Sequence, residues 1–405
     1  MKMSNSDPFK PFDHETCDFC GECFSKCPVM ILPPDEAKEE IKRLIKGNET
    51  KYVLQKCTSC FDCNFICPQH SNPTQLMLDR WHERYLREGM PLRARYFIPH
   101  SYPNFRTYVL DKLPQDEREI LASWDDLSPC EEMCYPGCNV ITVPYLTKTK
   151  LLEGLDIRGS LDKCCGEMYY RMGLFDQVEQ VTKRMENYFE KLGVKRMMIM
   201  CTAGYNMFTN VLPKFGANFD FEIQPLLSWL WDRIEDRRIK IRKKVNMRVT
   251  IQESCYGKVF GKNYLDLPRK ILESIGAKVV EMEHCRQHGL CCGIGGGFSH
   301  ESGFHPADIT AATEKSLREA EKTGAEAIVV YCAGCLQMLS VGKIAAPIEM
   351  PIYHILEMLQ LAIGEKPARR QDQRARQTLE GVVENQFPII DSKERFWAKE
   401  IRSDV

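Results

Sequence analysis

Glu326-Ala-Ile-Val-Val-Tyr-Cys332-Ala-Gly-Cys335 decides the fold. A short apolar, β-branched run ends on a Cys-x2-Cys pair, so a buried strand delivers two thiols to its carboxyl end. Upstream, Arg248-Val-Thr-Ile-Gln-Glu253 reads the same way and leads to Cys255, and Cys291-Cys292-Gly293 lies between the two. Cys255, Cys291, Cys292, Cys332 and Cys335 are thereby brought to the carboxyl edge of a sheet, where open α/β folds place their sites. Adjacent cysteines point in different directions and suit two irons of one cluster better than one small ion. The stretch therefore reads as an iron–sulfur site. The alternative, inert thiols packed as small hydrophobes, accounts poorly for five cysteines at this spacing.

The chain has 405 residues, enough for two or three domains, and 20 cysteines. Its formal charge of −1 supplies no global field toward nucleic acid or anionic lipid. The opening Met1 to His14 is polar and lacks the apolar centre of a secretion signal, which argues against a disulfide scaffold. No apolar run approaches the ~18 residues of a membrane span. The expected location is cytoplasmic, with any membrane contact on the inner face supplied by a partner protein.

Near the start, Cys17-x2-Cys20-x2-Cys23-x3-Cys27-Pro28 repeats as Cys57-x2-Cys60-x2-Cys63-x3-Cys67-Pro68. This is the two-cluster ferredoxin pattern, in which the fourth cysteine of each run serves the other cluster. The expected ligand sets are Cys17, Cys20, Cys23 with Cys67, and Cys57, Cys60, Cys63 with Cys27, each on a [4Fe–4S] cubane. Paired zinc knuckles fit less well, because the runs hold no histidine and end in Cys-Pro. Pro34 to Lys46 reads as a helix with acids in its first turn and bases in its last. Gln75 to Leu86 reads as a second helix that closes the module, and Met90 to Pro114 as an irregular, proline-punctuated linker.

Between Trp124 and Lys244 stands a fainter copy of the opening stretch: Cys138, then Cys164-Cys165-Gly166, then Cys201 after Met197 to Met200. The same order of motifs indicates an internal duplication of one α/β unit. Gly204 stands where the second copy has Cys335. The four remaining thiols, Cys138, Cys164, Cys165 and Cys201, suit a closed zinc site or a further iron–sulfur cluster, with Cys134 as a replacement ligand. The methionines Met197, Met198, Met200 and Met207 read as core.

Other features carry two readings. His284 and His288, around Cys285, are candidate proton donors or surface histidines. Gly293 to Gly297 reads as a loop whose amides approach cluster sulfides rather than a phosphate. Pro351 to Gly364 reads as a proline-opened helix. The basic runs Arg237 to Lys244 and Lys366 to Arg376 read as solvated surface.

Together these residues resemble the heterodisulfide reductase D-like family, which fuses a two-cubane ferredoxin module to a duplicated cysteine-rich (CCG) domain. The resemblance implies an α/β fold with an N-terminal α-helical ferredoxin module and two duplicated α/β cysteine-rich domains. The expected division is a helical two-cluster domain at 1–95, a degenerate first CCG domain at 96–245, a second at 246–364 with the complete motif, and a basic tail at 365–405. By resemblance, Cys255, Cys291, Cys292, Cys332 and Cys335 hold a non-cubane [4Fe–4S] cluster and are the catalytic set of a disulfide reductase-like oxidoreductase in anaerobic energy metabolism. The disulfide or thiol would be a small molecule or a carrier protein, and the partner a flavoprotein or a membrane cytochrome b-type subunit. The competing expectation is a non-catalytic relay in a flavin-dependent hydroxyacid or acyl-CoA dehydrogenase complex that passes electrons toward quinone.

Overall fold

The computed structural model describes residues 9–294, 306–346 and 348–398. Two four-stranded sheets form its centre. The first takes β1 (Glu132–Tyr135), β2 (Asp156–Ile157), β3 (Arg196–Ile199) and β4 (Glu222–Pro225); the second takes β5 (Arg248–Gln252), β6 (Lys278–Val279), β7 (Ala327–Val330) and β8 (Ile352–His354). Their spatial orders are β2-β1-β3-β4 and β6-β5-β7-β8, and every pairing within them is parallel. One topology is thus built twice. Register matches at the central pair of strands, where Tyr135 pairs with Ile199 as Gln252 pairs with Val330. All four residues of β7 are buried, as expected of a central parallel strand covered on both faces.

The N-terminal module is helical. Pro34–Ile45 begins on a proline, carries Asp35 and Glu36 in its first turn and Lys42 and Arg43 in its last. Its buried Glu40 accepts the backbone N–H groups of Lys51, Tyr52 and Val53, and so caps the start of Val53–Lys56. Each ferredoxin run enters a short helix through a left-handed residue, Gly21 (φ 76°) before Glu22–Ser25 and Phe61 (φ 67°) before Asp62–Ile66. At Gly21 a Cβ would stand 2.6 Å from the Lys38 nitrogen, so close approach to the neighbouring helix demands glycine there. The closing helix, Pro73–Glu88, docks the module on the first copy. His82 Nδ1 lies 2.6 Å from the Gly173 carbonyl, and Tyr170 Oη donates to Gln75 at 3.3 Å.

Three expectations need correction. Met90 to Pro114 is not irregular: it holds a 3-10 turn, Leu92–Phe97, and the helix Phe105–Leu110, whose buried cap Asn104 accepts from the amides of Arg106 and Thr107. Pro351 does not open a helix. Ile352–His354 is edge strand β8, because the chain pairs with β7 first, and the helix Ile355–Ile363 starts at a capping box of His354 and Glu357. Lys366 to Arg376 is not simply solvated, because it runs into the helix Gln371–Gln386. There Arg374 is buried against Glu117, Gln377 and the Thr142 carbonyl, and Arg370 pairs with Asp116 at 3.1 Å. Arg237 to Lys244 is largely exposed.

The His354 cap makes stability depend on pH. Its Nδ1 accepts the Leu356 N–H at 3.3 Å, so the neutral ring is the capping form, and burial holds its pKa down at about 4. The contribution is complete above the ordinary imidazole value, about 6.5, and is lost as pH falls toward 4. At pH 5.5 the loss from this group is about 1.4 kcal/mol. Burial pushes Glu357 of the same box up to about 7, which favours the fold at lower pH, so His354→Asn, which keeps a capping acceptor, should raise urea-unfolding stability at pH 5.5 relative to pH 7. An unchanged slope would show that another group carries the dependence.

Candidate metal centres

In the N-terminal module the fold brings each run's first three cysteines to the other run's fourth. Cys23, buried, has Cys67, Cys20 and Cys17 as its thiol neighbours, and Cys17 in turn faces Cys67. Cys57 and Cys60 both face Cys27. Cys63 faces Cys57 and Cys27 and also Cys23 of the other group, so the two groups adjoin. Burial raises the thiols of Cys17, Cys20, Cys23, Cys27, Cys57, Cys60 and Cys63, Cys57 to about 12 with Cys27 among the neighbours that add to the shift. Such protonated thiols become good ligands when a metal takes the place of their protons, and a donor set made only of sulfur suits iron–sulfur clusters. Around them, Cys57 Sγ accepts the Ser59 N–H at 3.3 Å and Cys63 Sγ lies 3.0 Å from Thr74 Oγ1.

In the second copy Cys255 follows β5, Cys332 follows β7, and Cys335 sits in the first turn of the helix Ala333–Ala345. Their sulfurs form one hydrogen-bonded chain with the adjacent pair: Cys255 to Cys291, Cys291 to Cys292, Cys292 to Cys335, and Cys335 to Cys332. Cys292 accepts from both Cys291 and Cys335, which brings its pKa down to about 5. Cys332 lies well below the usual thiol range because Cys201 and Cys335 donate to it, helped by the amides of Cys335 and Gly334 at the helix start. The five expected residues are all buried and all together. Behind them the buried Glu253 accepts from Arg269 Nη2 at 2.6 Å and Tyr331 Oη at 2.7 Å, which fixes the Cys255 turn.

In the first copy Cys138, Cys164 and Cys165 form a matching chain, and Cys201 has Cys165 beside it. Cys201 also touches Cys332, so the sulfurs of the two copies meet. Cys134 does not replace the missing ligand. In β1 it points to the face opposite Tyr135, whose neighbours are Cys165, Cys164, Cys138 and Cys201, and burial alone raises its thiol to about 12. A Cβ at Gly204 would meet Ile199 at 3.4 Å and Cys201 and the Tyr135 ring at 3.7 Å. Tyr135 thus fills the space into which a fifth cysteine would extend. Its second-copy counterpart, Gln252, turns away to the Leu290 carbonyl at 2.6 Å and leaves room for Cys335.

Several functional residues escaped the sequence reading. Arg171, on the helix Glu167–Arg171 behind the first Cys-Cys-Gly unit, reaches into the second copy and donates from Nη2 to Cys255 Sγ at 2.9 Å. Lys258 forms a buried ion pair with Asp62, which also accepts from Cys60 Sγ at 3.5 Å. Nothing in the sequence singled out Arg171 beyond the spacing of Glu167 four residues before it, a pairing that becomes meaningful only once the segment is helical. His284 turns to Glu319 at 3.1 Å and His288 is exposed, beside Gln287; neither has a hydrogen bond to the five thiols among the described residues. Cys285 stands beside Glu281, Arg269 and Glu253, and burial raises its thiol. Gly295 to Gly297 of the glycine loop lie outside the described residues.

The cysteine-rich domain family matches residues 135–209 and 249–340, and the 4Fe-4S dicluster domain family matches residues 10–68. The D-type subunit of dihydromethanophenazine:CoB–CoM heterodisulfide reductase from Methanosarcina barkeri is 23% identical over 86% of this chain and 94% of that protein. A subunit of fumarate reductase (CoM/CoB) from Methanothermobacter marburgensis is 27% identical over 88% of the chain and 75% of its own length. EtfAB:quinone oxidoreductase of Syntrophomonas wolfei is 24% identical over 82% of the chain, which spans only 50% of that protein. These relatives are redox proteins or subunits of them, and no helix among the described residues is long and apolar enough to cross a membrane. With a dicluster module ahead of two cysteine-rich copies, this chain belongs to the heterodisulfide reductase D-like family of iron–sulfur proteins.

Proposed function

We propose that this chain is the iron–sulfur subunit of a heterodisulfide-reductase-like complex, in which the second copy exchanges electrons with a disulfide and the N-terminal module conducts them. The observation that carries this reading is the unbroken sulfur chain Cys255–Cys291–Cys292–Cys335–Cys332, whose Cys291 also neighbours Cys57 and Cys60. Cys17, Cys20, Cys23 and Cys67 would hold one cubane, Cys57, Cys60, Cys63 and Cys27 the other, and the five second-copy cysteines a non-cubane cluster. A cluster bound there supplies single electrons and soft iron with affinity for sulfur.

A cleft of about 240 Å³ reaches Cys60 and Cys291 between apolar Pro28, Val29 and Leu290, and Lys56 and Lys315 also line it. The apolar wall suits the hydrocarbon part of a thiol, and the two ammonium groups favour a substrate with an anionic end. The disulfide takes two electrons and two protons, its S–S bond breaks, and two thiols leave; the reverse reaction returns both. A flavoprotein or cytochrome b-type partner would exchange electrons with the cubanes. Cys138, Cys164, Cys165 and Cys201 would hold zinc or a further cluster.

A relay role is the second reading, and one contact favours it. Cys201 of the first copy lies against Cys332, so this end of the second-copy sulfur set is closed by the first copy rather than open to a substrate. Electron paramagnetic resonance during anaerobic thiol titration, under oxidising conditions and with iron and zinc analysis, separates the two. A new signal that requires added thiol is expected for the reductase. Cubane signals indifferent to thiol would overturn it and leave the relay.

A further inference from the structure

Arg171 comes from the first copy, yet its guanidinium lies in the second. Nη2 donates to Cys255 Sγ at 2.9 Å and Nε to Tyr256 Oη at 3.1 Å, while Glu167 accepts from Tyr256 Oη at 2.6 Å and pairs with the guanidinium. Two rings flank the cation, Tyr256 at 4.7 Å and Phe61 at 5.7 Å from its centre. Phe61 belongs to the ferredoxin run between Cys60 and Asp62, so this one charge touches all three parts of the chain. The residue is only 2% exposed, and its Nη1 is buried without a hydrogen-bond partner among the described residues.

A buried guanidinium with an N–H unspent is costly unless something anionic completes it. Its charge acts on Cys57 of one ferredoxin group and on Cys255 and Cys291 of the second-copy group. Two separate sulfur sets therefore share a single cation in a medium of low dielectric. Every electron added to either set adds negative charge, which that cation stabilises.

We propose that Arg171 is a charge bridge that raises the reduction potentials of both the second-copy cluster and the cubane at Cys57, Cys60, Cys63 and Cys27, its free N–H donating to cluster sulfur. The inference rests on the clusters assigned above but not on the disulfide chemistry, because a relay needs matched potentials equally. It makes Arg171 a positioning and tuning residue rather than a catalytic one. Glu167, the counter-charge, sets how much of that field the clusters feel.

Potentiometric titration of the purified protein, followed by paramagnetic resonance without any thiol or disulfide, tests this. Arg171→Gln should shift both potentials negative, more at the second-copy cluster, and leave the cubane at Cys17, Cys20, Cys23 and Cys67 unmoved. Arg171→Lys, which keeps the charge, should shift them less. Glu167→Gln, which frees the cation, should shift both positive. Opposite signs for the Arg171 and Glu167 variants cannot come from loosened packing alone. If Arg171→Gln fails to fold, the Lys and Glu167 variants still decide. Unchanged potentials at full iron content, or shifts of one sign in all variants, would overturn the proposal. Absence of disulfide reduction with these shifts intact would overturn only the reductase reading.

Discussion

Cys292→Ala is expected to remove the second-copy cluster completely while leaving the signals of both cubanes. Cys292 is the hub of the sulfur chain, accepting from Cys291 on one side and Cys335 on the other. Without it Cys291 and Cys335 lose their common partner, and no other cysteine of the second copy stands in that place: Cys285 is beside Glu281 and Arg269 instead. Alanine fits the buried site without strain, so folding should survive the loss of one sulfur. Disulfide reduction should fall by at least about a hundredfold, the scale of losing an essential group in a concerted site. Iron analysis with paramagnetic resonance reads the first effect and a thiol-release assay the second. Retained reduction with wild-type cubane content would sink the proposed centre.

The largest stability effect is expected at Lys258. Its ammonium is buried with Asp62, whose other oxygen accepts from Cys60, and the pair joins the second copy to the ferredoxin module. Lys258→Met keeps the side chain's length and removes its charge, stranding a carboxylate in the interior. Breaking such a pair from one side costs about 3–5 kcal/mol. Asp62→Asn added to Lys258→Met should recover a large part of that loss, because no uncompensated charge remains. Anaerobic chemical denaturation of the two variants checks the order. Equal stabilities for the single and double variants would mean that packing, not charge, holds this junction.

The parts legible in the sequence were those written locally. Each Cys-x2-Cys-x2-Cys-x3-Cys-Pro run specifies its own turn and helix, and the strands β5 and β7 follow from short apolar runs within a residue of their ends. Even the reach of Cys67 to Cys17 and Cys23 follows from the repeat. What stayed hidden was written between distant residues. Asp62 and Lys258 are 196 positions apart, and Arg171 and Cys255 are 84 apart. Neither member of such a pair looks unusual in its own window. Gly204 marked where the second copy has Cys335, but only the parallel register shows Tyr135 beside that place. The Pro351 error has the same origin, since pairing with β7 outweighs the helical start that a proline suggests.

The docking of the helix Pro73–Glu88 on the first copy has a kinetic consequence. Gly173 approaches so closely that a Cβ there would lie 2.7 Å from the His82 nitrogen, and His82 and Gln75 are tied across the same seam. The Lys258–Asp62 pair ties the ferredoxin module to the second copy as well, so among the described residues both copies hold the module. Under the proposed function, electron passage between clusters at Cys57 and Cys291 should await no diffusive search, and its rate should be indifferent to solvent viscosity.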